Sequence, residues 1–251
     1  MSTAIGRVRC VQAANAILGE APTWDVSSQV LYWADLQRPA IFRWDLKHGQ
    51  TGHWPMPKSL GCIAPTTDPG QLVFTDAQGF GFLDTETGDI TRTINPDSHL
   101  PGTRFNDGKV DRKGRLWAGS ADVEETAPTG SLYRLDSDGS VYRKATGLIC
   151  SNGIGWSPNN RTMYFTDSMV RTIWSYEFDL RTGELGERTV FVRVADDDGV
   201  PDGLTVDSEG YVWSALWDGW RVLRFNPDGV LEREFTFPYN APPAACSVVR
   251  A

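Results

Sequence analysis

The stretch Asp111-Arg112-Lys113-Gly114-Arg115-Leu116-Trp117-Ala118 decides the fold, because it returns four more times in altered form. An aspartate or serine opens a tight turn, a glycine, asparagine or serine lets the chain reverse, and an apolar, aromatic-rich run follows. The other copies are Asp25-Val26-Ser27-Ser28 before Val30-Leu31-Tyr32-Trp33, Asp68-Pro69-Gly70 before Gln71-Leu72-Val73-Phe74, Ser157-Pro158-Asn159-Asn160 before Thr162-Met163-Tyr164-Phe165, and Asp207-Ser208-Glu209-Gly210 before Tyr211-Val212-Trp213-Ser214. Their first residues are spaced by roughly 43 to 50 positions, the length of one blade of a β-propeller.

A second turn follows within each copy. Trp44-Asp45-Leu46-Lys47-His48-Gly49, Leu83-Asp84-Thr85-Glu86-Thr87-Gly88, Leu135-Asp136-Ser137-Asp138-Gly139, Phe178-Asp179-Leu180-Arg181-Thr182-Gly183 and Phe225-Asn226-Pro227-Asp228-Gly229 give each unit about four strands. No segment sustains apolar residues at i, i+3, i+4 and i+7, so helices are not expected. A β-sandwich also repeats its turns, but without so long a two-turn period. Residues 1–251 therefore read as a single all-β propeller domain in which five repeats are visible.

Composition narrows the function. Forty per cent hydrophobic content over 251 residues is ample for a sizeable core. A net charge of −8 speaks against nucleic-acid binding, which needs clustered Lys and Arg to displace counterions. Met1 to Arg9 shows no basic stretch leading into an apolar core, and no run of about 18 apolar residues occurs, so a cytoplasmic protein without a membrane partner is expected. Cys10, Cys62, Cys150 and Cys246 are widely spaced with no C-x-x-C pair, which reads as reduced thiols.

Five residues before the first turn residue lies the start of the first, channel-lining strand of each unit. The five copies place Glu20, Ile63, Asn106, Asn152 and Asp202 there. Four of these carry oxygen donors where a packing repeat would carry an apolar residue. Asn106-Asp107-Gly108, Asn152-Gly153 and Asp202-Gly203 also put glycine beside them, where backbone approaches a neighbour or ligand closely. Two carboxylates and an amide, with no His or Cys in phase, suit a hard divalent cation such as calcium, magnesium or manganese, and zinc also accepts carboxylates. Three protein donors leave coordination positions open for water and substrate.

At these residues the sequence resembles the regucalcin and gluconolactonase family, also called the senescence marker protein family. The likeness is carried by Leu18-Gly19-Glu20-Ala21-Pro22-Thr23-Trp24, Arg104-Phe105-Asn106-Asp107-Gly108-Lys109-Val110-Asp111, Ser151-Asn152-Gly153-Ile154 and Pro201-Asp202-Gly203-Leu204. The resemblance implies a six-bladed propeller and hydrolysis of a sugar lactone such as gluconolactone or a related aldonolactone. It implies one divalent cation, calcium ahead of zinc, manganese, magnesium or iron, on Glu20, Asn152 and Asp202, with Asp202 also the general base. It places Arg104 and Asn106 on the substrate, together with an acidic residue that an ungapped match makes Glu124 and a one-residue shift makes Glu125. After Phe237-Pro238 the chain stops within about fifteen residues, so the sixth blade is expected to be incomplete at the C-terminus, with Cys246-Ser247-Val248-Val249 and Arg7-Val8-Arg9-Cys10 as its only material. Exposed sheet edges pair readily, which leaves monomer and homodimer both open.

Two rival readings compete. A serine hydrolase would need a G-x-S-x-G elbow and a partnered histidine, whereas the elbow is missing and His48, His53 and His99 fall in predicted turns and polar loops. A non-enzymatic propeller serving as a binding or interaction module has no reason to carry a polar ring on its axis.

Overall fold

The computed structural model describes residues 12–196 and 198–236 together with Cys10. Its strands form five antiparallel sheets of four, each built from strands consecutive in sequence. The first sheet holds β1 (Gly19–Asp25), β2 (Val30–Asp35), β3 (Ala40–Asp45) and β4 (Gly49–Pro55); the second β5 (Leu60–Pro65), β6 (Gln71–Asp76), β7 (Gly79–Asp84) and β8 (Ile90–Arg92). The third holds β9 (Thr103–Val110), β10 (Leu116–Asp122), β11 (Gly130–Leu135) and β12 (Val141–Leu148); the fourth β13 (Ser151–Trp156), β14 (Thr162–Asp167), β15 (Thr172–Asp179) and β16 (Glu184–Arg193). The fifth comprises β17 (Val200–Val206), β18 (Val212–Trp217), β19 (Arg221–Phe225) and β20 (Leu231–Thr236).

The first strands β1, β5, β9, β13 and β17 stand next to one another in that order, which is the propeller arrangement with the first strand of each blade innermost. The expectation of six blades is corrected to five among the described residues. Five was the number of repeats visible in the sequence itself; the sixth came from the resemblance. Of the segments assigned to a sixth blade, residues 7–9 and 246–249 lie outside the described residues. Within them, no helix is long and apolar enough to cross a membrane. Cys10, Cys62 and Cys150 are free thiols, and Cys246 lies outside.

Packing explains why the second strand of each repeat is buried along nearly its whole length and mostly apolar. Four hydrophobic clusters each lie between two consecutive sheets. Tyr32 and Ile41 meet Phe74, Phe80 meets Phe105 and Tyr133, Trp117 meets Phe165 and Phe178, and Tyr164 meets Leu204 and Phe225. Side chains alternate across a strand, so on β10 Leu116 and Ala118 face the second sheet while Trp117 faces the fourth. Strands sandwiched on both faces lose the polar alternation of a half-exposed sheet.

The turn aspartates of the opening motif are structural. Asp111 Oδ1 accepts the backbone N–H of Lys113 and Arg115 at 2.8 and 3.2 Å. Its Oδ2 accepts Trp117 Nε1 at 2.9 Å and Arg115 Nε at 2.7 Å. Asp207 does the same for Glu209, Tyr211, Trp213 and Arg224. One carboxylate thus satisfies turn, indole and guanidinium at once. A further aspartate, not singled out in the sequence, ends the second strand in four sheets: Asp35, Asp76, Asp122 and Asp167, all buried. Asp167 accepts the N–H of Ile149 and Cys150 and Asp35 those of Ile17 and Leu18, so each ties down the segment that leads into an inner strand.

Candidate active site at the channel mouth

Every inner strand breaks register near its start. Two residues oppose one between Glu20 and Thr23, between Leu60 and Ile63, between Asn152 and Ile154 around Gly153, and between Pro201 and Leu204; on β9 the extra residue is Asn106. Such bulges leave a residue outside the ladder and re-aim its neighbours. They deliver Glu20, Asn106, Asn152 and Asp202 to one end of the channel. Pro22, which has no N–H to give a ladder, falls inside the first bulge.

Ile63 is corrected by this register. It follows the bulge and is 2% exposed in the core between the first two sheets. The turn of the second unit starts at Thr66, whose N–H bonds to Gln71 O as Ser157 N–H bonds to Thr162 O. Counting from Asp68 overshot by two positions, and the residues in phase are Gly61 and Cys62.

Arg104 lies beside Asn106 and bonds its Oδ1. Its Nη2 donates to Glu125 Oε1 at 2.9 Å, and Asn106 Nδ2 donates to Ser151 O at 2.8 Å. The acidic residue that pairs with Arg104 is Glu125, whereas Glu124 is exposed. Asp122 causes the difference, for its carboxylate gathers the N–H of Thr126 and Ala127, and the tightened loop holds Glu125 at φ 55° facing Arg104. Residue spacing carries no signal for such a loop. Cys150 Sγ adds a weak 3.8 Å bond to the same carboxylate and is buried.

Below this rim the carboxylates crowd together. Burial, reinforced by the charges of Asp202 and Asp107, holds Glu20 well above the usual carboxylate range. Asp202, 8% exposed, is pushed up to about 7 by burial and by Asp107, against hydrogen bonds from the Asn152 side chain and the Gly203 N–H. Asp107 is raised to about 6 by burial, opposed by the Gly108 N–H and the Lys109 charge. Asp107 and Lys109 are the residues that spacing passed over, since only Asn106 of their stretch falls in phase. His48 and His99 are exposed and His53 stacks on Phe42 from β4, so no histidine reaches this mouth.

The donor chemistry fits a hard cation. The acids Glu20, Asp107 and Asp202 repel one another here, and charge repulsion of this kind is relieved when a cation sits among them. Among the described residues no three His, Cys, Asp or Glu side chains form a metal-holding group unaided, so a set here needs a further oxygen donor, which the Asn152 amide beside Asp202 can supply.

Comparison with known proteins agrees with the propeller fold. Residues 18–248 match the family model described as SMP-30/Gluconolactonase/LRE-like region. The chain belongs to this family. L-arabinolactonase of Azospirillum brasilense is 38% identical over 216 residues, 85% of this chain and 71% of that protein. Regucalcin of Danio rerio is 34% identical over 223 residues, 88% of this chain and 75% of that one. The solved structure of a calcium-binding protein, regucalcin, from Agrobacterium tumefaciens superposes with a TM-score of 0.83 at 29% identity, covering 89% of this chain and 75% of that one.

In this SMP-30/gluconolactonase-type propeller, Gly153 sets how closely β13 approaches β17. A Cβ there would lie 2.4 Å from Leu204 N and 2.7 Å from Asp202 O, closer than any packed pair. Gly153→Ala is expected to push β17 away, separating Asn152 from Asp202 and lowering kcat/KM for a lactone about a hundredfold, as for a displacement of roughly 1 Å. Steady-state kinetics on the variant check this, and wild-type kcat/KM would show that the close approach is dispensable.

Proposed function

We propose that the chain is a carboxylic-ester hydrolase that opens the ring ester of a small sugar lactone, such as gluconolactone or a related aldonolactone, to the free acid. What supports the reading most is that Glu20, Asn152 and Asp202 converge on one bulged rim of a family whose members include lactonases.

Glu20, Asn152 and Asp202 would hold one divalent cation, calcium first among the candidates, which supplies polarisation of the lactone carbonyl and of bound water. Asp202 accepts the proton of the attacking water and returns it to the ring oxygen as the ester opens. Its neighbour Asn152 donates to it and fixes its orientation. Arg104, with Asn106 and Glu125, forms a polar edge that can donate to and accept from the ring hydroxyls, and the guanidinium offsets negative charge gathering on the carbonyl oxygen. Held on separate strands, these groups position the ester without moving themselves, which is where much of such a rate gain originates.

Acid release from gluconolactone in a pH-stat, corrected for spontaneous opening, tests the proposal. Removal of divalent ions with a chelator is expected to reduce the rate about a hundredfold or more, consistent with several kcal/mol of charge stabilisation, and calcium should restore it. An unchanged rate after chelation would overturn the cation's part. A panel of aldonolactones then ranks the substrates.

A further inference from the structure

Lys109 lies on β9 two residues beyond Asp107, so both side chains leave the strand on the same face. Its Nζ donates to Leu204 O at 3.3 Å and to Thr205 Oγ1 at 3.2 Å. Both acceptors belong to β17, two sheets away, with β13 standing between. The ammonium therefore spans the channel between blades that are not neighbours, just below the segment that carries Asp202. A lysine stem long enough to carry its charge out to water is turned inward instead. Burial disfavours the charge there and Asp107 favours it.

The charges at this end of the channel add up in a telling way. Arg104 and Glu125 cancel as an ion pair. Glu20, Asp107 and Asp202 face one another with three negative charges when ionised, and Lys109 faces Asp107 with one positive charge. Two negative charges remain, the complement of one divalent cation. A brace alone would need no charge, since a neutral donor can bond a carbonyl and a hydroxyl.

We infer that Lys109 sets the charge of the channel, holding the site at the value that matches a divalent ion and disfavouring a trivalent one. The inference rests on the cation reading of Glu20, Asn152 and Asp202 and adds to it a residue that touches neither ion nor substrate. Lys109 acts through the field it imposes on the acids above it.

The test is binding rather than turnover: calorimetric Kd values for calcium and for terbium on the full chain at fixed ionic strength, read as the ratio of the calcium Kd to the terbium Kd. Lys109→Met deepens the site by one negative charge and is expected to raise that ratio about tenfold, the effect of one unit charge at roughly 10 Å through a protein-like dielectric. Lys109→Arg keeps the charge and should leave the ratio within about twofold of wild type. Asp107→Asn removes a negative charge and should lower the ratio by about the same factor; it carries the test should Lys109→Met not fold. Equal changes in both affinities for Lys109→Met, or a ratio unmoved by Asp107→Asn, would overturn the inference while leaving the cation site standing. A wild-type chain that binds neither ion, or a Glu20→Gln variant that binds both as wild type does, would overturn the cation site and this inference with it.

Discussion

Asp202→Asn is expected to lower the rate of lactone hydrolysis by about ten-thousand-fold, the upper range for loss of a positioned general base, while the protein stays folded. The amide has the shape of the carboxylate and can still offer an oxygen to a cation, but it cannot accept the proton of the attacking water. Folding should not suffer. Asp202 is buried beside Asp107, and its carboxyl is pushed up to about 7, so in the ion-free protein its charge costs stability. An acid whose folded pKa lies above its unfolded value of about 3.9 destabilises the folded state increasingly as pH rises through that interval, and the cost is full above the folded value. The ion-free Asp202→Asn protein should therefore gain more thermal stability over wild type at pH 8 than at pH 4. Rates and melting curves measured together decide the matter; a variant retaining more than a tenth of wild-type activity would remove Asp202 from the proton path.

Trp117→Ala should cost about 3–5 kcal/mol of unfolding free energy, the range for truncating a large buried aromatic side chain. Trp117 is fully buried. Its ring meets Trp156 and Phe178 edge-on at centroid separations of 6.3 and 5.8 Å, closing the space between the third and fourth sheets. Its Nε1 bonds Asp111, so the change opens a cavity and strips the turn aspartate of one of its donors. Trp117→Phe retains most of the packing and loses that hydrogen bond, for which about 1 kcal/mol is expected. Urea denaturation of both variants provides the comparison, and a loss below about 1 kcal/mol for Trp117→Ala would mean that the two sheets close over the gap.

The blades were legible because the turn at Asp111 and the apolar run behind it repeat a local necessity: a turn carboxylate that must satisfy amides, and a strand buried on both faces. Glu20, Asn106, Asn152 and Asp202 were legible for the same reason, as equal distances from equal turns give equal depth in the channel. The correspondence breaks where the turn itself differs. Thr66 rather than Asp68 opens the second unit's turn, and so Ile63 was placed at the mouth instead of Gly61. Glu124 and Glu125 could not be separated by spacing, because a loop gathered by Asp122 follows no strand period. Lys109 escaped notice because its partners, Leu204 and Thr205, are about 95 residues away in sequence, and long-range pairs of that kind leave no local pattern. The sixth blade came from likeness and not from a repeat.

The register breaks on the five inner strands carry a consequence for adaptation. A residue seated in a bulge contributes little to the ladder on either side, so its identity can change while the strands stay paired. Chemistry and scaffold are then separately variable: libraries at Asn106 and Asp202, which fall inside these breaks, should alter what the mouth binds and cleaves far more readily than they alter the melting temperature. A propeller made this way offers laboratory evolution a socket whose fittings are exchangeable, and the same freedom was open to natural selection.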